Sequence, residues 1–258
     1  MGILYGEWKM KPQFMIKYGE EAHLKQLVSG KIRFAPSQTY IKIEKEQNNK
    51  GQGDFLEGKV KLKTEGVRLY NPNTNEFIGM LPTSDIVMAA QDVNSMPVFC
   101  LSQYGQENVS DYVDDKNYTI TLSDKKIKGI QTDFPKASHA LIILEPEKFI
   151  EDVKGIANHQ FASGGIHYYD YEINPLQMFM FLTTGSEAIK KNAVMSMTYE
   201  NRYRHLFCKD IFFLNQEEYR FIGLDELISE PVFYSFSFRS KYLIVPIEQL
   251  EQPIKIEI

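Results

Sequence analysis

A strand is expected from Val232 to Phe238, where aromatic residues and serine alternate from Tyr234 onward, and two short apolar runs, Pro97 to Ser102 and His139 to Leu144, have the composition of buried strands. From Ile211 to Ile222 the pattern predicts one strand. Its core-facing side would carry Phe212, Leu214 and Ile222 together with Gln216, Glu218 and Arg220, an apolar face that is polar at its centre. Helical spacing appears at Glu20 to Ser29, where Gly30 is placed to stop the helix. It appears again from Pro146 to Val153, opened by a proline suited to a first turn. Glu187 to Asn192 and Met197 to Phe207 are further predicted helices, and Gly164 to Glu172 is a predicted aromatic strand. Val60 to Lys63 and Gly66 to Tyr70, a turn at Asn71 to Asn75, and Phe77 to Leu81 assemble as a hairpin. Tyr242 to Val245 is a strand, and Pro246 to Gln252 is a helical turn before the last strand. Glu44 to Gly58 is polar and glycine-bearing, which predicts a long loop.

Helices and strands alternate without a regular β-α-β rhythm, so the expected fold is α+β, with a mixed, mostly antiparallel sheet and several short helices. No linker composition divides the chain, and residues 1–258 are expected to form one domain. The 43% hydrophobic and 13% aromatic content places it among globular proteins. A net charge of -5 argues against a surface that grips nucleic acid as a whole, while leaving room for a local basic groove. Cys100 and Cys208 form neither a CxxC pair nor a zinc pattern, so no metal site is expected and a reducing, cytoplasmic setting fits. Met1 to Trp8 lacks the features of a signal peptide, and no apolar run is long enough to span a bilayer, so no membrane partner is expected.

A carboxylate among aromatic neighbours is costly to desolvate unless it is paired, hydrogen-bonded or used by a ligand. Glu218 is therefore the leading site candidate, the other reading being a surface edge strand on which Glu218 and Arg220 form ion pairs. Arg33, between Ile32 and Phe34, and Ser102, after Phe99-Cys100-Leu101, are polar residues in apolar strands of the same kind. Asp54 and Glu57, in a glycine-rich loop, read as solvated acids, with a helix cap or a divalent cation as alternatives.

Gly30 to Phe34, Ser37, Tyr40, Glu44, Gly53-Asp54 and Glu57-Gly58, followed late in the chain by Lys209 and Glu217-Glu218-Tyr219-Arg220, resemble a broad family of bacterial and phage proteins often encoded near phage-defence genes. Arg33, Ser102 and Gln216-x-Glu218, in that order, are also similar to the pattern of ADP-ribosyltransferases. That resemblance implies NAD as substrate and a macromolecular acceptor, protein or nucleic acid. Glu218 and Gln216 would be catalytic, and Arg33, Ser102 and Arg220 would bind the dinucleotide. A departure is the triplet Leu101-Ser102-Gln103, where the family often has Ser-Thr-Ser. The expected function is ADP-ribosyl transfer in a phage-defence or toxin setting. The alternatives are a non-catalytic sensor or adaptor that recognises a phage component or nucleic acid, and a metal-dependent nuclease built on Asp54 and Glu57.

Overall fold

A computed structural model describes residues 13–47, 53–114, 117–173, 178, 181–182 and 199–257. The first half contains β1 (Phe14–Gly19), α1 (Glu21–Val28), β2 (Lys31–Pro36), α2 (Gln38–Gln47), β3 (Lys59–Tyr70), β4 (Phe77–Ala89), β5 (Pro97–Tyr104), β6 (Val109–Asp114), β7 (Asn117–Ile120) and α3 (Asp124–Asp133). The second contains β8 (His139–Ile143), α4 (Pro146–Lys154), β9 (Phe161–Gly165), β10 (His167–Tyr169), β11 (Cys208–Asp210), β12 (Glu218–Gly223), β13 (Val232–Ser235), β14 (Tyr242–Pro246) and β15 (Ile254–Glu257). Single-turn and longer 3-10 segments link them, notably Tyr199–Phe207 and Ile211–Gln216. The fold is α+β and mostly antiparallel, as the alternation of elements implies.

Eight strands form the main sheet. Six follow the order β13-β2-β5-β1-β8-β14, and β12 with β9 beyond it adds to the other edge of β5. A three-stranded sheet, β15-β7-β6, the β3-β4 hairpin and the parallel pair β10-β11 complete the strand pairing among the described residues. On one face of the main sheet, Leu24 and Leu27 of α1 and Phe149 and Val153 of α4 pack on Phe34, Phe99, Leu101 and Phe221. Burying side chains of this size contributes roughly 1.5 to 3 kcal/mol each. On the opposite face two apolar clusters stand apart. Phe14, Ile16, Tyr104 and Ile142 are covered by Ile127 and Ile130 of α3 and by the small sheet. Val98 and Ile222 are covered by Leu206, Phe207 and Phe213 from the 3-10 segments.

Helix α1 ends as its composition requires. Gly30 has φ +90, and a Cβ there would stand 2.5 Å from the Phe236 carbonyl oxygen, so only glycine fits. The Ile211 to Ile222 expectation is corrected. Asp210 accepts the Phe212 N–H at 2.9 Å and caps a 3-10 segment over Ile211–Gln216, and the strand begins only at Glu218. The chain reverses at Glu217, whose φ of 45 and ψ of 46 lie in the left-handed region. The expected loop is corrected in part, since α2 occupies its first residues. The strand expected through Phe238 stops at Ser235, and the aromatic strand is divided into β9 and β10. The helix expected at Glu187 to Asn192 lies outside the described residues, and Tyr199–Phe207 is 3-10 rather than α.

Candidate functional site

One edge of β5 pairs with β12 from Val98 to Ser102. The other edge is shared, with β2 held at Pro97 and Val98 and β1 held from Ser102 to Tyr104. Residues 99–101 belong to neither of those two ladders, and from there β1 turns toward β8 while β2 turns toward β13. The sheet therefore forks. A cavity of about 200 Å³ lies beside the fork, and one of about 620 Å³ lies within it. Both are lined by Lys17, Arg33, Tyr40 and Cys100.

Arg33, Ser102, Gln216, Glu218 and Arg220 all line the smaller cavity, although they come from four separate elements. Ser102 stands opposite Glu218 in register, and Cys100 stands opposite Arg220, so strand alternation puts these four on one face between the two apolar clusters. Glu218 is buried on an interior strand, which corrects the surface-edge alternative.

Arg220, 1% exposed, is the centre of a closed charge network. Its Nε donates to Glu218 Oε1 at 2.5 Å and its Nη2 to Glu218 Oε2 at 3.3 Å. Glu57 takes both terminal nitrogens, through Oε1 and through Oε2 at 2.9 Å, and the Leu206 carbonyl accepts the remaining Nη1 proton at 2.6 Å. All five guanidinium N–H groups are thus engaged within the protein. Lys209 donates to Glu218 Oε2 at 2.9 Å and to Gln216 Oε1 at 3.1 Å, and lies over the Phe213 ring. Gln216 in turn donates to Asp133 at 3.1 Å. Gln216 and Glu218 therefore meet at Lys209, with the Glu217 reversal between them, instead of sharing a strand face.

Burial alone would raise the Glu218 carboxyl, but Arg220 and Lys209 together hold it well below the usual carboxylate range. Burial likewise pushes the Cys100 thiol up to about 12, which leaves it protonated beside the Tyr40 hydroxyl at 3.4 Å.

Asp54 and Glu57 are buried, which corrects their reading as solvated acids. Glu57 is committed to Arg220. Asp54 accepts the Leu56 N–H at 2.9 Å, and burial, with the neighbouring Glu57 charge, raises its carboxyl to about 7. Among the described residues no group of three His, Cys, Asp or Glu side chains is arranged to hold a metal ion.

Lys17 is the site residue the sequence reading passed over. It interrupts the apolar run Phe14-Met15-Ile16 and Tyr18, the same signal that singled out Arg33. By alternation its side chain starts on the Met15 side of β1. Its ammonium reaches into the fork, donates to the Cys100 carbonyl at 2.5 Å and lies 4.9 Å from the Phe99 ring centroid. The smaller cavity is thus lined by four cations, Lys17, Arg33, Lys209 and Arg220, and one carboxylate, Glu218.

Compared with protein-family models, curated proteins and solved structures, the chain matches none. Among the described residues no helix is long and apolar enough to cross a membrane.

Proposed function

We propose that this protein binds a dinucleotide in the forked cleft, NAD in the concrete case, and that ADP-ribosyl transfer to a macromolecular acceptor is the reaction the arrangement serves. The observation that carries the reading is that Arg33, Ser102, Gln216 and Glu218 line one cavity. Transfer breaks the bond between ribose C1′ and nicotinamide, the leaving group takes the bonding electron pair, and an acceptor nucleophile replaces it. The ribosyl carbon passes through a cationic state that a fixed carboxylate stabilises. Glu218 stays ionised across the ordinary pH range and is pre-positioned by Arg220, so it meets the electrostatic requirement. Ser102, across the ladder, would border the same ribose, and Arg33 would hold the diphosphate with its planar fork of donors. Lys209 must yield its contact with Glu218 Oε2 before a ribose hydroxyl can take its place there. The defence or toxin setting belongs to the same proposal and rests on the family resemblance.

One observation favours the non-catalytic sensor as a second reading: both Glu218 oxygens are engaged by cations of the protein itself. The experiment is nicotinamide release from NAD, with NAD binding measured in parallel, for the native chain and Glu218→Gln. Transfer chemistry predicts release by the native chain and a loss of at least about a hundredfold in the variant. Equal release by both chains removes Glu218 from the reaction, and binding without release by the native chain selects the sensor.

A further inference from the structure

The larger cavity has an unusual charge inventory. Lys17, Lys31 and Arg33 line its volume of about 620 Å³, and among the described residues no aspartate or glutamate does, in a chain whose net charge is -5. Neither the Lys31 nor the Arg33 side chain has an ion-pair or hydrogen-bond partner among the described residues, and the Lys17 ammonium has only the Cys100 carbonyl and the Phe99 ring as direct contacts. Burial lowers the Lys17 ammonium from its ordinary value, Cys100 and the Glu218 carboxylate partly oppose the fall, and Arg33 adds to it. Like charges that outnumber their counter-ions raise the free energy of an empty site, and a bound anion relieves that repulsion.

We propose that the fork cavity is a binding site for the di- or triphosphate group of a small nucleotide, held by Lys17, Lys31 and Arg33. This deepens the dinucleotide reading by naming where the phosphates sit, and it rests on that reading only for the identity of the rest of the ligand. Three features support a small phosphorylated molecule. The volume is within the range of small-ligand sites and not that of an extended groove. The donors converge from β1 and β2, two strands that the fork holds apart, so they can surround a compact polyanion. Phe99, Leu24 and Leu27 form an apolar wall beside the cations, suited to a base or ribose. The cavity continues past Lys17 and Arg33 into the recess that holds Ser102 and Glu218, so a nucleotide anchored by its phosphates could extend toward the proposed reacting end.

The test is calorimetric binding of inorganic pyrophosphate and tripolyphosphate to the full chain, its Lys31→Met and Lys17→Met variants, and Glu218→Gln. The Lys31 side chain is exposed and has no ion pair or hydrogen bond among the described residues, so its removal leaves folding intact and isolates the charge effect. Native binding should weaken roughly tenfold for Lys31→Met and by more for Lys17→Met, as charge-assisted contacts imply. Glu218→Gln should bind at least as tightly as the native chain. Absence of binding by the native chain overturns the proposal even if NAD is turned over, as does equal binding by native and Lys31→Met chains. Binding that follows this pattern sustains the phosphate site even if no nicotinamide is released. Tight, salt-sensitive binding of an RNA oligonucleotide that pyrophosphate fails to displace would overturn it in favour of a nucleic-acid surface.

Discussion

Two groups of charges flank the same strand and are handled in opposite ways. Around Arg220, on the β12 side of β5, each guanidinium donor has an acceptor, and cations and carboxylates alternate. In the fork, on the other side, Lys17, Lys31 and Arg33 face a cavity whose wall, among the described residues, holds no carboxylate. A closed network consumes its own hydrogen-bonding capacity, and its removal is felt as instability. An open cluster of like charge keeps its capacity for something outside the chain, and its removal is felt as lost binding.

The strongest challenge to this contrast is Arg220→Met. It leaves Glu57 and Glu218 buried without their shared cation, and should cost about 3 to 5 kcal/mol in chemical denaturation. Arg33→Met, on the exposed side of the comparison, should change stability by less than about 0.5 kcal/mol. Similar losses for the two would show that the division between closed and open groups is wrong.

A further effect separates the Glu218 carboxylate of the closed group from the neighbouring Asp54 by their pH response. The Glu218 carboxyl is depressed in the folded state, so its contribution is complete above the usual carboxylate range and disappears only as pH falls through its lowered value. Asp54 behaves in the opposite sense. Its carboxyl, raised from 3.8 to about 7, keeps a proton that the unfolded chain releases, so stability falls as pH rises between those values and the deficit persists above them. Asp54→Asn, which can retain the acceptor for Leu56, should flatten melting temperature against pH across that window. At pH 8 it should stabilise the protein by up to about 4 kcal/mol. A variant that is less stable than the native chain at pH 8 would mean that the ionised Asp54 is held by the Lys209 and Arg220 charges.

A modest change is expected at Lys126, which donates to Glu217 at 2.6 Å in a partly exposed pair. Lys126→Met should alter stability by no more than about 1 kcal/mol, because water screens what it cannot screen around Arg220. A loss as large as that of Arg220→Met would point to the Glu217 reversal as the feature that orders the whole network.

The parts of the fold that were legible are those whose local signal and tertiary role coincide. β5 and β8 are short apolar runs buried on both faces, and α1 and α4 have one apolar stripe, a stop at Gly30 or a start at Pro146, and one sheet face to cover. The elements that were missed have weak local signals. α3 is largely polar and keeps only Ile127 and Ile130 buried, and α2 runs into a segment whose composition reads as a loop. Ile211 to Leu214 was misread because a short apolar run is compatible with either a strand or a tight helix, and the Asp210 cap decides for the helix.

For the site, the sequence by itself determined which polar residues stand in apolar surroundings: Arg33, Ser102, Gln216, Glu218 and Arg220 could be chosen because burying such groups needs a reason. Only the tertiary structure decided how each need is met. Arg220 and Glu218 are satisfied by Glu57 and Lys209, partners distant in sequence or beyond a chain reversal, whereas Lys17 and Arg33 are brought together by β1 and β2 separating from a common neighbour. Alternation along a strand tells which face a side chain occupies, but the position of a fork depends on how three strands share two edges, and that is a property of the folded sheet.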